Sequence, residues 1–360
     1  MKGVILVGGF GTRLQPLTLT QPKPLVPFAN KPIIKHQIEA LAKSGVTEII
    51  LAVGYMHELL RETLVGYAEE AGVRIVHSVE ESPMGTAGAL SLLKNILKYE
   101  KAPFFVMNSD IICEFPFSEM KRYHKKHGGE GTILVTQVED PTRYGVVVSD
   151  EQKRIVKFVE KPKKFVGNAI NAGIYLFSSS IYEYIENRPM SIENDILPQM
   201  VADKVVRTFE LEGFWMDIGQ PKDYLRGHVL YLEHFFRGRA PPHHLIDPTA
   251  QISPKAKIEH NVVIGARVVV EEGAEIRDSV LLEGCTIRKN AFVSRSVVGW
   301  GSTVERRARV EECSILGAGV VVEEGICVSG GKIHPNTKVA LHVLPAPTPM
   351  QMEADTTSPA

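Results

Sequence analysis

Cysteine is scarce in this 360-residue sequence. Its four copies (Cys113, Cys285, Cys313 and Cys327) form no CxxC pair and no zinc-like spacing. That excludes a disulfide scaffold and a structural zinc knuckle, and predicts unpaired thiols in a reducing, cytosolic compartment. Long apolar runs are missing as well. Nothing approaches the ~20 residues of a membrane span, and Val4–Val7 is too short for a signal-peptide core. No membrane partner is expected. Excess charge of either sign is absent too, since 41 Lys and Arg face 42 Asp and Glu. A chain so balanced is no general polyanion binder, so no nucleic-acid partner is expected. Any phosphate chemistry must rest on a few placed cations. There is also no GxSxG and no Ser/His/Asp arrangement, which argues against a covalent nucleophile.

What is present begins with an alternation of β-rich runs and helix-period stretches over residues 1–236, the pattern of a mixed, mostly parallel α/β sheet flanked by helices. Val4–Val7, Ile49–Val53, Val73–His77 and Phe104–Met107 read as strands. Residues 31–43 and 86–97 read as helices, the first opening at Pro32 and closing before Gly45. Later runs at 133–138, 146–148, 155–159 and 174–177 lie closer together and predict antiparallel additions. The segment Lys121–His127 is basic and reads as a solvated helix face.

Residues 237–245 combine charge, glycine and two prolines and read as a linker, with His243 and His244 as linker histidines rather than metal ligands. Beyond it the chain repeats. Ile246, Ile252, Ile258, Ile264, Val270 and Ile276 fall six apart. The pattern continues through Leu281, Ile287, Val293, Val298, Val304, Val310, Ile315, Val321 and Cys327 as five plus six plus six. Neither a 3.6 nor a 2.0 period fits. Three short strands per coil do, so residues 246–343 predict a parallel β-helix. Residues 344–360 are rich in proline and polar groups and read as a disordered tail.

The chemistry concentrates where strands end. The first strand runs into Gly8-Gly9-Phe10-Gly11-Thr12-Arg13-Leu14, whose glycines let backbone N–H groups approach phosphate oxygens. It is neither a Rossmann fingerprint, which needs glycine at Leu14, nor a P-loop. Arg13 and the proline-flanked Lys23 supply two cations for a polyphosphate. Asp110 follows a strand in Asn108-Ser109-Asp110, and Asp217 sits in the apolar Trp215–Gly219. Two converging carboxylates plus substrate phosphates are how magnesium is usually held. Taken alone, each aspartate reads as a turn or cap residue. Glu80–Ala87 joins a strand to a helix, with Gly85 and the helix start near a base or ribose. Lys161 closes another strand and suits a second phosphate. Tyr144-Gly145 and Asn171-Ala172-Gly173 suit sugar hydroxyls.

Together these strings resemble the sugar nucleotidyltransferases over about residues 1–340, most closely the branch that activates mannose-1-phosphate with GTP. The resemblance implies a Rossmann-like nucleotidyltransferase sheet followed by a left-handed parallel β-helix of hexapeptide repeats. It implies transfer of GMP from GTP to mannose-1-phosphate with Mg²⁺ as cofactor. Arg13, Lys23, Asp110 and Asp217 are then the catalytic set, with Asp110 and Asp217 as metal ligands. Leu6, Gly8, Gly9, Gly11, Thr12, Arg13, Lys23, Glu80, Gly85, Thr86 and Asp110 surround the nucleotide. Gly145, Glu160, Lys161, Asn171 and Gly173 hold the sugar phosphate. Uridine- and thymidine-using relatives carry Gln where Glu80 stands. A carboxylate can accept guanine N1–H and N2–H₂ side by side, so Glu80 is expected to favour guanine. A homo-oligomer, or an assembly with a regulatory α subunit, is the implied partnership. The alternatives are a glucose-1-phosphate enzyme using UTP, dTTP or ATP, and a non-catalytic subunit of the same fold.

Overall fold

The computed structural model describes residues 1–9, 11–54 and 57–344. Its contacts divide the chain into two units, Met1–Gly11 with Pro22–Gly219, and Thr12–Gln21 with Gln220–Ala360.

The first unit is built on strands β1 (Lys2–Val7), β4 (Glu48–Val53), β5 (Arg74–Val79) and β6 (Phe104–Asn108), all parallel, after a small hairpin of β2 (Pro27–Phe28) and β3 (Lys31–Pro32). Then come β8 (Gly131–Gln137), β9 (Gly145–Ser149), β10 (Ile155–Glu160), β11 (Ala169–Phe177) and β12 (Val206–Glu210). The sheet order is β10-β9-β11-β6-β1-β4-β5, with β8 between β11 and β12. The pairs of β11 with β6, β8 and β9, and of β9 with β10, are antiparallel, as the later runs predict. Only β12 joins parallel, on β8. Both faces are covered. In β1, Ile5 and Val7 pack into one apolar layer and Val4 and Leu6 into the other. That explains why a central strand reads as a continuous apolar run rather than an alternation.

Helix α1 (Ile33–Lys43) starts behind Pro32 as expected; α2 (His57–Ala71) covers the sheet further along. The single helix predicted over 86–97 is in fact two, α3 (Gly85–Ser91) and α4 (Lys94–Leu97). Ser91 Oγ donates to the carbonyl of Gly88 at 2.6 Å, a side-chain bond that competes with helix continuation. A short antiparallel pair, β7 (Ile111–Cys113) with β13 (Trp215–Asp217), completes the unit with α5 (Phe117–His127) and α6 (Leu197–Ala202).

The basic run on α5 is not wholly a solvated face. His124 is buried and His127 half-buried, and both rings meet the Thr132 hydroxyl, at 2.8 and 2.7 Å. Gly129 N–H donates to His127 Nδ1, so His127 Nε2 carries the hydrogen it gives to Thr132. Thr132 can then donate to His124. Both rings must be neutral for this chain, and burial pushes each down from 6.5 to about 4. Burial does the same to His36, whose Nε2 lies 2.8 Å from the carbonyl of Phe28. These folded values lie below the unfolded one, so the unfolded chain binds more protons between them. Stability is full above about pH 6.5 and falls as pH drops toward 4. Urea midpoints measured from pH 7.5 to 4.5 should decline across that window with an uptake approaching three protons. A flat profile would remove the assignment.

In the second unit, α7 (Pro221–Phe235) leads to the parallel β-helix. Two of the residues read as linker are ordered: His243 stacks on Phe236 at 5.4 Å, and His244 opens the first strand, His244–Ile246. Three parallel sheets of six, six and five strands form its sides. The expected inward positions from Ile264 to Val310 are buried. Past Val310 the reading slips by one. Leu316, Val322 and Val328 fill the core, while Val321 and Cys327 are half-buried. The cause is one extra residue at the corner Glu312-Cys313, both with left-handed backbone (φ 57° and 61°). Register confirms it, since Val293 pairs with Val310 but Val310 pairs with Val328. Of the predicted tail, all but Leu344 lies outside the described residues.

Candidate active site

Strands β1, β4, β5 and β6 run parallel, and their carboxyl ends open into one cavity of about 680 Å³. It is lined by Leu6 of β1 and Gly8 and Gly9 after it, Gly54 after β4, Glu80–Pro83 after β5, Gly85, Thr86 and Ala89 of α3, Asn108 at the end of β6 with Ser109 and Asp110 after it, and Lys23. An open α/β sheet binds ligands at this end of its strands. The structure thus gathers Leu6, Gly8, Gly9, Lys23, Glu80, Gly85, Thr86 and Asp110 around one space. Gly11 belongs to the same unit. Thr12 and Arg13 lie on a 3-10 turn, Thr12–Leu14, of the second unit. Phe10, Tyr55 and Met56 lie outside the described residues.

Lys23 follows Pro22 at the start of a 3-10 turn, and its ammonium lies 2.5 Å from Asp110 Oδ2. Both side chains are mostly shielded, at 13% and 21% exposure, so the pair is held by more than a screened surface attraction. Behind Asp110, the buried Gln37 gives both amide hydrogens to carbonyls, of Asn108 at 3.0 Å and of Ile111 at 3.1 Å. That brace fixes the turn carrying the carboxylate. Sequence reasoning passed over Gln37, although a glutamine on the inner face of a predicted amphipathic helix is a readable anomaly.

Asp217 comes beside Asp110. Strand β13 pairs with β7 in the register Asp217↔Ile111, and Ile218 N–H donates to the carbonyl of Asp110 at 3.0 Å. Asp217 Oδ1 accepts from Gly219 N–H at 2.8 Å. Trp215 Nε1 donates to the carbonyl of Ala172 at 3.0 Å, so the same strand touches the Asn171-Ala172-Gly173 segment. Among the described residues no cluster of three or more His, Cys, Asp or Glu is placed to hold a metal. Asp110 and Asp217 stand on adjoining segments, and two carboxylates so placed would offer hard oxygen donors to a cation whose shell phosphate oxygens complete. This suits magnesium and not zinc.

The second group of residues surrounds β11. Its pairing with β8 is interrupted between Asn171 and Tyr175, a bulge that turns the strand where Ala172 and Gly173 lie. Gly173 adopts φ 74°, and a Cβ there would stand 2.8 Å from Asn108 Nδ2, so a larger residue would be strained and would displace the Asn108 amide. That contact puts the bulge next to the turn carrying Asp110. Gly145 pairs with Glu160 across β9 and β10, and Lys161 follows with its Nζ 2.9 Å from Glu160 Oε1. Lys161 itself has φ 44°. For a residue with a side chain that costs roughly 1–3 kcal/mol, and such strain concentrates at functional sites.

Two residues do less directly what the sequence suggests. Asn171 Nδ2 donates to Tyr175 Oη at 2.7 Å and its Oδ1 accepts from Gly173 N–H at 3.0 Å. Much of its amide is therefore used within the protein. Glu80 Oε2 accepts from Met84 N–H at 3.2 Å, which closes the turn before α3.

Residues 2–234 match the family model described as nucleotidyl transferase, and residues 240–347 match that of the GMPPB C-terminal domain. The mannose-1-phosphate guanyltransferases of Gibberella zeae and Schizosaccharomyces pombe are each 50% identical to this chain over 360 and 355 residues, covering 95% of it and 98% of their own length. Among solved structures, HddC from Yersinia pseudotuberculosis complexed with GMP-PN is 32% identical with a TM-score of 0.52, over 62% of this chain and 96% of that one.

Proposed function

The chain belongs to the nucleotidyl transferase family and, within it, to the mannose-1-phosphate guanyltransferases, and from that membership we propose that it transfers GMP from GTP to mannose-1-phosphate with Mg²⁺. The products are GDP-mannose and pyrophosphate. The observation that carries the reading is the register of β13 on β7, which brings the Asp217 strand to Asp110 at the mouth of a nucleotide-sized cavity.

A mannose-1-phosphate oxygen attacks the α-phosphorus of GTP. The new O–P bond forms as the bond from the α-phosphorus to the bridging oxygen breaks, and pyrophosphate leaves. The attacking phosphate is already anionic at neutral pH, so no general base is needed, in keeping with the absent nucleophile motifs. Asp110 and Asp217 would hold the Mg²⁺, whose contribution there would be to neutralise charge on the phosphates. Lys23 exchanges its carboxylate partner for a phosphate oxygen, and Arg13 provides the other cation for the triphosphate. Leu6, Gly8, Gly9, Gly11, Thr12, Gly85 and Thr86 complete the nucleotide side. Lys161 takes the sugar phosphate, with Gly145, Glu160, Asn171 and Gly173 around the sugar. Positioning and charge neutralisation, rather than proton transfer, then supply the catalysis.

The β-helix is assigned to assembly, joining copies of the chain or a regulatory α subunit. Among the described residues no helix is long and apolar enough to cross a membrane. The cytosol is proposed for the reaction because the four cysteines are free thiols, as a reducing compartment keeps them.

Pyrophosphate release measured over a panel of GTP, UTP, dTTP and ATP against mannose- and glucose-1-phosphate tests the reading. GTP with mannose-1-phosphate should exceed every other pair. The same panel on Glu80→Gln separates two roles for that side chain. Glutamine still offers an oxygen to Met84 N–H, so the turn survives, but it cannot accept two guanine hydrogens in parallel. Losing one charge-assisted pair of bonds should lower GTP preference over UTP about 10- to 100-fold. Unchanged preference would leave Glu80 as a turn residue only.

A further inference from the structure

Glu193 belongs to no motif in the sequence, yet it joins the two groups of site residues. Its carboxylate accepts from Thr86 Oγ1 at 2.9 Å and Ser191 Oγ at 2.7 Å on one oxygen, and from Tyr175 Oη at 3.0 Å on the other. Thr86 lines the cavity assigned to the nucleotide. Tyr175 in turn accepts from Asn171 Nδ2, on the sugar side.

Hydrogen directions leave no freedom in this chain. The Thr86 hydroxyl accepts from Ile192 N–H at 2.8 Å, so its one hydrogen goes to Glu193. The Tyr175 hydroxyl accepts from Asn171, so its one hydrogen also goes to Glu193. Tyr175 is fully buried, and burial, with the Glu193 charge beside it, holds the phenol well above its ordinary pKa. It therefore remains a donor. The carboxylate is the common terminus of two arms, Asn171–Tyr175 and Thr86.

The backbone around it is equally specific. Ile192–Ile196 forms a single π-helical turn, with Ser191 Oγ accepting from Glu193 N–H and Asn194 N–H at its start. Pro198 follows in α6 and has no N–H to donate back to that turn, a reason for its wider winding. Such turns are rare and are frequent at functional sites.

We propose that Glu193 is a positioning residue that couples the two substrates, so that ordering Thr86 around the nucleotide also orders Tyr175 and Asn171 for the sugar phosphate. The inference rests on the assignment of the cavity to nucleotide and of the β11 bulge to sugar. Linkage makes the coupling reciprocal, and a typical value is about 5- to 150-fold.

The test measures mannose-1-phosphate affinity by calorimetry with and without a non-hydrolysable GTP analogue and Mg²⁺. In the parent protein the analogue should tighten sugar-phosphate binding about ten-fold or more. In Glu193→Gln an amide faces three hydroxyl donors, and the enhancement should fall toward one. Nucleotide affinity alone should move less than about three-fold, and the KM for mannose-1-phosphate should rise with little change in kcat. Tyr175→Phe removes only the phenolic arm and should lose the enhancement too, which covers the case of a poorly folded Glu193→Gln. Glu193→Asp should recover part of it. Coupling in the parent that persists in both variants would overturn the inference alone. A parent that turns over no GTP with mannose-1-phosphate would overturn the functional reading and this inference with it.

Discussion

Asp110→Asn should release pyrophosphate at about a thousandth of the parental rate, the scale on which loss of one transition-state charge partner is commonly felt. Asp217→Asn should fall to a similar fraction. Asparagine keeps the shape of each side chain and removes the charge that makes it a metal holder. Asp217 illustrates why the change is clean, since an amide oxygen can still accept from Gly219 N–H as Oδ1 does. Asp110 is less simple. Its loss leaves the Lys23 ammonium, only 13% exposed, without the carboxylate it now meets at 2.5 Å. Asp110→Asn should therefore also lower the thermal midpoint, and adding Lys23→Met should recover stability without recovering activity. If the two aspartates act as one donor set, as proposed, the double variant Asp110→Asn/Asp217→Asn should be little worse than either single one. Pyrophosphate release, read beside thermal midpoints, checks all four variants. Activity within ten-fold of parent in Asp110→Asn would sink the metal-holding role and reopen the non-catalytic alternative.

How much of this was readable in the chain depended on distance along it. The Gly8–Gly11 loop, the Lys23 turn and the Asn108–Asp110 turn are local signals, the first and last following directly from strands whose ends face the ligand and the second marked by its flanking prolines. That Asp217 would stand against Asp110 could be guessed only from the need for two carboxylates, as the pairing of β13 with β7 spans more than a hundred residues. The β-helix was legible for the opposite reason, because every coil repeats the same burial demand. Its reading failed at the corner Glu312-Cys313, where one extra left-handed residue leaves composition unchanged and shifts the core by one. The basic stretch on α5 misled because histidine can be a buried neutral donor as well as a solvated cation, and its partner Thr132 lies on a strand not yet formed in a sequence view. Gln37 was legible only as a polar residue on an inner helix face, and Glu193 not at all. The bonds that tie them to the site, Gln37 to Ile111 and Thr86 to Glu193, span 74 and 107 residues.

Lys161 offers a test in which activity and stability should move apart. Its backbone is left-handed at φ 44°, held there by Lys161 N–H donating to the carbonyl of Tyr144 at 3.0 Å. The side chain is 65% exposed, and among the described residues its ammonium pairs with its neighbour Glu160, an attraction worth little in water. Nothing in the packing therefore explains why a residue with a Cβ occupies a position that suits glycine. The proposed role in holding the sugar phosphate would give a reason for a cation there. Lys161→Gly and Lys161→Ala should both raise the KM for mannose-1-phosphate about 10- to 150-fold, the cost of one hydrogen bond to a charged group. Their stabilities should differ. Glycine relieves the left-handed strain and alanine does not, so Lys161→Gly should unfold at a higher temperature than Lys161→Ala, by roughly 1 kcal/mol. Part of the gain over the parent is cancelled by the wider freedom of glycine in the unfolded chain, which is why the comparison with alanine is the decisive one. If the two variants prove equally stable, the strain is not real. If either keeps the parental KM, the phosphate of the sugar is held by something else.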